Sequence, residues 1–172
     1  FIRRTLEKGI LDTKTALDYA ITGVNLRASG ICLDNRLQDN LYKGFDIGVV
    51  VKEEKDAMAR YKARIDEIRE SIKIIRQAIE VIKSNPDLNQ KLINPINLKL
   101  PEGDYHSEIE APRGLAGCYI RSFGKNEPYR LKWRTGSYYS VNLLRKLLVG
   151  EYLNDAIAIA GSLDIILPEV DK

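Results

Sequence analysis

Three observations in this 172-residue sequence predict an α+β fold that is mainly α. Apolar residues recur at steps of three and four from about Glu53 to Lys83, which is the spacing of one helix face. Short runs rich in β-formers follow between His106 and Arg134, broken by turn residues. Leucine-rich and alanine-rich segments then close the chain. The expected order is helices, a small antiparallel β meander inserted after them, and two C-terminal helices.

Taken in order, Asp12 is placed to N-cap a helix through Thr15, Ala16, Leu17, Tyr19 and Ala20, with Gly23 as its stop. The stretch Gly23 to Arg36, GVNLRASGICLDNR, reads as a loop, neither helical nor extended. In the long helix, Met58, Tyr61, Ile65, Ile68, Ile72, Ile75, Ile79 and Ile82 share one face, expected to be core. Lys62, Glu67, Glu70, Lys73, Arg76 and Glu80 share the opposite face, expected to meet solvent. Such a helix is about 45 Å long. Ser84, Asn85 and Pro86 end it, and a polar, Asn-rich connector leads to Gly103. His106 to Glu110, Gly117 to Phe123 and Tyr129 to Arg134 read as the strands, and Val141 to Val149 and Tyr152 to Ala160 as the last helices. The whole is expected to be a single fragment, 1–172. Residues 1–102 form its helical part, 103–135 the meander, and 136–172 the C-terminal helices and tail.

Composition narrows the chemistry. A net charge of +3, with acids and bases interleaved rather than blocked, gives no reason to expect nucleic-acid binding. No apolar run reaches the roughly 18 to 20 residues that span a bilayer, and there is no secretory signal. Cys32 and Cys118 lie far apart with no second Cys or His beside them, so they are expected to be reduced core thiols and no metal is expected on this chain. His106, the sole histidine, is expected at a strand entrance. The chain opens on Phe1 in FIRRTLEKG, without methionine and in mid-element, which suggests a piece of something longer. No phosphate-binding glycine loop, nucleophile elbow or cysteine pair is present, which disfavours an autonomous small enzyme.

The segment Gly23 to Arg36 is the main functional clue. Its glycines permit unusual backbone conformations, and Arg27 and Arg36 each offer a rigid five-donor fork suited to carboxylates or polar cofactors. An Arg–Asp pair stitching a connection together, through Asp34, is the plainer alternative. The final GSLDIILPEVDK is apolar but carries Asp164, Glu169 and Asp171, which fits either a docked end with surface acids or a set of placed charges.

Three separated segments share one resemblance. GVNLRASG with the following Asp34 and Arg36, RYKARIDEIRESIKIIRQAIE at Arg60 to Glu80, and EAPRG at Glu110 to Gly114 resemble the 49 kDa, or D, subunit of respiratory complex I. The closing GSLDIILPEVDK is similar to that subunit's C-terminus, so the chain resembles its C-terminal half. The resemblance implies long helices of the nickel–iron hydrogenase large-subunit-like fold. LDIILPEV stands where a hydrogenase would carry its C-terminal CxxC, which implies the quinone-reducing branch. The implied activity is that of a subunit of a proton-pumping NADH:quinone oxidoreductase, with quinone as substrate. Electrons would come from NADH through an iron–sulfur cluster held by a neighbouring subunit. The implied partners are that iron–sulfur subunit and the adjoining membrane subunit, at the cytoplasmic or matrix face of an energy-transducing membrane.

The resemblance carries no catalytic residue onto this half. It does carry a quinone-cavity wall and charge network onto Arg27, Asp34, Arg36, Asp164, Ile166, Glu169 and Lys172, with Ile166 as an apolar contact. Asp164 and Glu169 would either relay protons or pair with Arg27 or Arg36. The chain departs from the family pattern at Leu33, where tryptophan is usual, at Asn35, at Pro168, and at Lys172, which replaces a bidentate arginine. A turn before the penultimate helix is replaced by Gly136-Ser-Tyr-Tyr139. The alternative function is a hydrogenase-like structural or assembly module without its own site.

Overall fold

A computed structural model describes residues 1–85 and 99–171. Asp12 caps α1 (Thr13–Asp18) by accepting from the Thr15 amide at 2.9 Å. That helix closes at Tyr19, well before Gly23. Gly23 instead opens α2 (Gly23–Arg27), so the first part of the expected loop is helical. Packing decides this: Val24 and Ala28, one turn apart, bury against Ala59 and Ala63 of the long helix. Leu26 enters the main core, with Leu11, Ala16, Ile21, Leu143, Leu147, Ile159 and Leu163. Gly23 has φ +67°, and a Cβ there would overlap the backbone of Gly114. Gly114 in turn has φ +112° and no room for a Cβ beside Thr22. The start of α2 and the start of the second strand therefore touch backbone to backbone.

The long helix, α3 (Ala57–Ser84), begins at Asp56, whose carboxylate accepts from the amides of Ala59 and Glu7 at 2.7 and 2.8 Å. Its first turns are fully packed, with Ala57, Ala59, Arg60 and Ala63 at 0% exposure. The small side chains let α2 and α5 approach. Tyr61, predicted to be core, is already 47% exposed, and beyond Ala63 the expected burial reverses. Ile68, Ile72, Ile75, Ile79 and Ile82, predicted to be core, are 44–61% exposed. No element among the described residues covers them. Part of the charged face is covered instead, by an extended strap over residues 46–52 whose polar backbone needs partners. Gly48 N–H donates to Glu70 at 3.0 Å, Asp46 N–H to Gln77 at 2.8 Å, and Lys52 and Lys73 pair with Asp66 and Asp46 at 2.8 Å. Pro86 and most of the Asn-rich connector lie outside the described residues.

The meander forms as predicted, as β1 (Gly103–Ala111), β2 (Gly114–Ser122) and β3 (Arg130–Arg134), antiparallel in that order. Ala111 pairs with Gly114, which makes Pro112 and Arg113 the two-residue tip of a hairpin. Cys118 pairs with Trp133 across β2 and β3. His106 lies inside β1 and is exposed rather than at its entrance. The cysteines are not core thiols either: Cys32 is exposed on the chain after α2, and Cys118 is only half-buried on the sheet.

Three helices complete the fold: α4 (Gly136–Leu147), α5 (Leu153–Ser162) and the single-turn α6 (Leu167–Val170). α4 starts five residues earlier than the leucine spacing suggested and takes in Gly136-Ser-Tyr-Tyr139. α6 packs on α4 through Thr135 and Ser137, whose hydroxyls donate to the Glu169 carbonyl and carboxylate. This contact fixes the tail beside the hairpin tip.

Candidate functional site: a buried charge network beside a cavity

Arg27, the last residue of α2, is 2% exposed and reaches three elements at once. Its Nε donates to Glu67 Oε1 of α3 at 3.0 Å, and its Nη1 to Glu110 Oε1 of β1 at 2.8 Å. Nη1 also donates to the Leu33 carbonyl at 3.0 Å. Arg36 lies on the short 3-10 turn Asn35–Leu37, which Asp34 caps through the Arg36 amide. Its guanidinium grips both Asp34 oxygens, at 2.9 and 2.5 Å, and donates from Nη2 to Glu67 Oε2 at 2.9 Å. Glu67 thus bridges the two arginines, one oxygen to each.

Asp34 has a completely buried carboxylate, 3.7 Å from Arg27 Nη1. Burial pushes its pKa up, but the hydrogen bonds from Arg36 and the charge of Arg27 outweigh that and hold it below the ordinary carboxylate value. The Arg36 guanidinium is correspondingly raised, chiefly by its bond to Asp34. Such a network is costly to break, because removing one member leaves a charge buried without its partner.

The network forms one wall of a cavity of about 370 Å³. Arg27, Arg36, Glu67 and Glu110 supply its charged side, and Val24, Ile68 and Pro112 are among its apolar lining. Arg64 and Asp164 face in from α3 and the tail. Asp164 has φ +55°, a left-handed conformation that a non-glycine residue adopts only under constraint. Its carboxylate lies 3.4 Å from Arg113 Nε and 3.9 Å from Arg64 Nε.

The expected residues therefore divide. Arg27, Asp34 and Arg36 converge as one unit, and Asp164 joins them across the cavity. Glu169 is not at the cavity: it accepts from Ser137 at 2.5 Å and pairs with Arg113 at 3.7 Å. Neither acid pairs with Arg27 or Arg36, whose partners are Glu67, Glu110 and Asp34. Ile166 is half-buried at the N-cap of α6, where its amide bonds Ser137 Oγ at 3.3 Å, and is not among the residues lining the cavity. Lys172 lies outside the described residues.

Four site residues escaped the sequence reading: Glu67, Glu110, Arg64 and Arg113. A signal existed for the helical pair, since Arg60, Arg64 and Glu67 recur at i, i+4 and i+7 on one face. Arg60 is itself fully buried, donating to Gly9 O and Ser162 Oγ at 2.9 Å, and burial, with Arg64 adding to it, pulls its pKa down to about 10. It remains a cation at neutral pH. Among the described residues there is no cluster of His, Cys, Asp and Glu arranged for a metal, and no helix long and apolar enough to cross a membrane.

Comparisons with known proteins show the family to which the chain belongs. The family model for the 49 kDa subunit of the respiratory-chain NADH dehydrogenase matches residues 1–172. The D subunit of the NADH-quinone oxidoreductase of Geobacillus thermodenitrificans is 45% identical over 173 residues, covering 99% of this chain and 47% of that protein. Its counterpart in Bacillus cytotoxicus is 43% identical over the same extent. Among solved structures, a chain of the membrane-bound sulfane sulfur reductase, an archaeal respiratory membrane complex, superposes with a TM-score of 0.88 at 36% identity. It matches 99% of this chain and 48% of its own. The chain thus spans about half the length of the curated relatives it matches. Family model, relatives and fold point the same way, and the chain belongs to the family of the 49 kDa subunit of the respiratory-chain NADH dehydrogenase.

Proposed function

We propose that this chain is part of the quinone-binding subunit of a proton-pumping NADH:quinone oxidoreductase, contributing one wall of the quinone cavity and surfaces for neighbouring subunits. The observation that carries the reading is the buried Arg27–Asp34–Arg36–Glu67–Glu110 network held against a partly apolar cavity, in a chain of this family. Reduction of a quinone by two electrons develops negative charge on its oxygens, and fixed donors in a water-poor site stabilise that charge without reorganising. The electrons come from NADH by way of an iron–sulfur cluster in an adjoining subunit. Protons require titratable groups within reach, and Asp164, which lines the cavity, with Glu169, which shares Arg113 with it, is the candidate relay from this half. Ile166 and Lys172 belong to the same tail and complete the proposed contact set. The fold in this reading is that of the hydrogenase large subunit with its metal site gone. The exposed isoleucines of α3 supply apolar surface for contact with the rest of the assembly, peripheral to the cytoplasmic or matrix face of the membrane.

Arg27→Ala in the assembled enzyme tests the reading. The expected result is a loss of NADH:quinone turnover or of complex yield. Unchanged turnover at normal yield would remove the network from the quinone site and favour a purely structural module.

A further inference from the structure

Three arginines line the cavity among the described residues, and they differ in how their charge is answered. Arg27 and Arg36 are each hydrogen-bonded to two carboxylates. Arg64 is bonded only to neutral acceptors: the carbonyls of Ser162 at 2.7 Å and Arg60 at 3.2 Å, and Asn25 Oδ1 at 3.0 Å. Its enclosed Nε has no hydrogen-bond partner, and its nearest carboxylate, that of Asp164, stands off at 3.9 Å. Arg60, one turn earlier, is likewise held by a carbonyl and a hydroxyl. Glu67, on the same helix, also lines the cavity but is engaged by Arg27 and Arg36, so among the described residues the Arg64 cation is the one in the lining with no carboxylate hydrogen-bonded to it. Three hydrogen bonds fix the Arg64 guanidinium at the cavity surface, so its charge is preorganised rather than recruited.

We infer that Arg64 is the residue of this cavity that binds a negatively charged ligand oxygen, which gives the site a preference for anionic over neutral quinone-type headgroups. This rests on the quinone reading above and names the group that answers the ligand's charge. Asp164 is the competing internal anion. A ligand oxyanion and the Asp164 carboxylate contend for the same guanidinium, so occupation of the cavity by an anion shifts Asp164 toward Arg113, already 3.4 Å away.

The test is equilibrium binding to the assembled, detergent-solubilised complex, by calorimetry. The probes are a hydroxynaphthoquinone that is ionised at neutral pH and its neutral methyl ether. The wild-type enzyme should prefer the ionised probe by roughly tenfold or more, the scale of one partly desolvated charge pair. Arg64→Gln should abolish that preference, and Arg64→Lys should restore part of it. Asp164→Asn, which removes the competitor and keeps Arg64, should enlarge the preference. It decides the matter even where the Arg64 variants fail to assemble. A preference that survives Arg64→Gln, or that Asp164→Asn leaves unchanged, overturns the inference and leaves the quinone reading standing. If neither probe binds the wild-type complex, both fall.

Discussion

The two halves of α3 obey opposite rules. Its first ten residues bury alanines and Arg60, whereas its last four turns hold out a row of isoleucines and tuck acids and a lysine beneath a backbone strap. The sequence pattern is continuous through both halves, and only the neighbours change. In the first half α2, α5 and the chain around Gly9 supply small contacts and carbonyl acceptors, so that even Arg60 is satisfied without solvent. In the second half the strap supplies amide donors, which select the charged face because amides need acceptors. A helical stripe thus states which residues lie together, and says nothing of what packs on them.

Breaking the first half should have the largest effect. Glu67→Ala leaves Arg27 and Arg36 each short of a buried partner and is expected to cost about 3–5 kcal/mol in the full subunit, seen as a lower urea midpoint. A loss below about 1 kcal/mol would place this pair with exposed ion pairs instead.

Acid should act next, through Asp34, which shares Arg36 with Glu67. The Asp34 pKa is lower in the folded chain than in the unfolded one, so its contribution is complete above the ordinary carboxylate value and is lost as pH falls through the depressed folded value. Melting temperature should therefore fall as pH drops from about 5 toward 3, and that slope should be shallower in Asp34→Asn. An identical acid slope in the variant would mean that other carboxylates govern it.

The smallest effect is expected in the distal half. Ile75 is 57% exposed, so Ile75→Asp should change the stability of this chain by less than about 0.5 kcal/mol. The periodicity alone would make it as damaging as any core charge. A large loss of stability would show the stripe to be covered.

Most of the architecture was readable because it rests on local periods: the three-and-four spacing of α3, the β-rich runs of the meander, and the Asp12 cap. α2 was not, since five residues are too few to show a helical period and its helicity comes from burial against Ala59 and Ala63. Of the site, Arg27, Asp34 and Arg36 were readable as one charged cluster because they are close in the chain. Glu67 and Glu110 were not, for their roles depend on folding that brings α3 and β1 onto Arg27 across long sequence separations. The tail shows the opposite failure. Asp164 and Glu169 look equivalent in sequence, yet one lines the cavity and the other is fastened to Ser137 and Arg113.

The strap over α3 has a consequence for ionic strength. Its Lys73–Asp46 pair is open to water, Asp46 being 80% exposed, whereas the pairs around Arg27 are enclosed. At 1 M salt the screening length is only about 3 Å, short enough to weaken the former and leave the latter almost untouched. Concentrated electrolyte should thus loosen the strap selectively, baring the outer flank of the helix while the cavity keeps its shape.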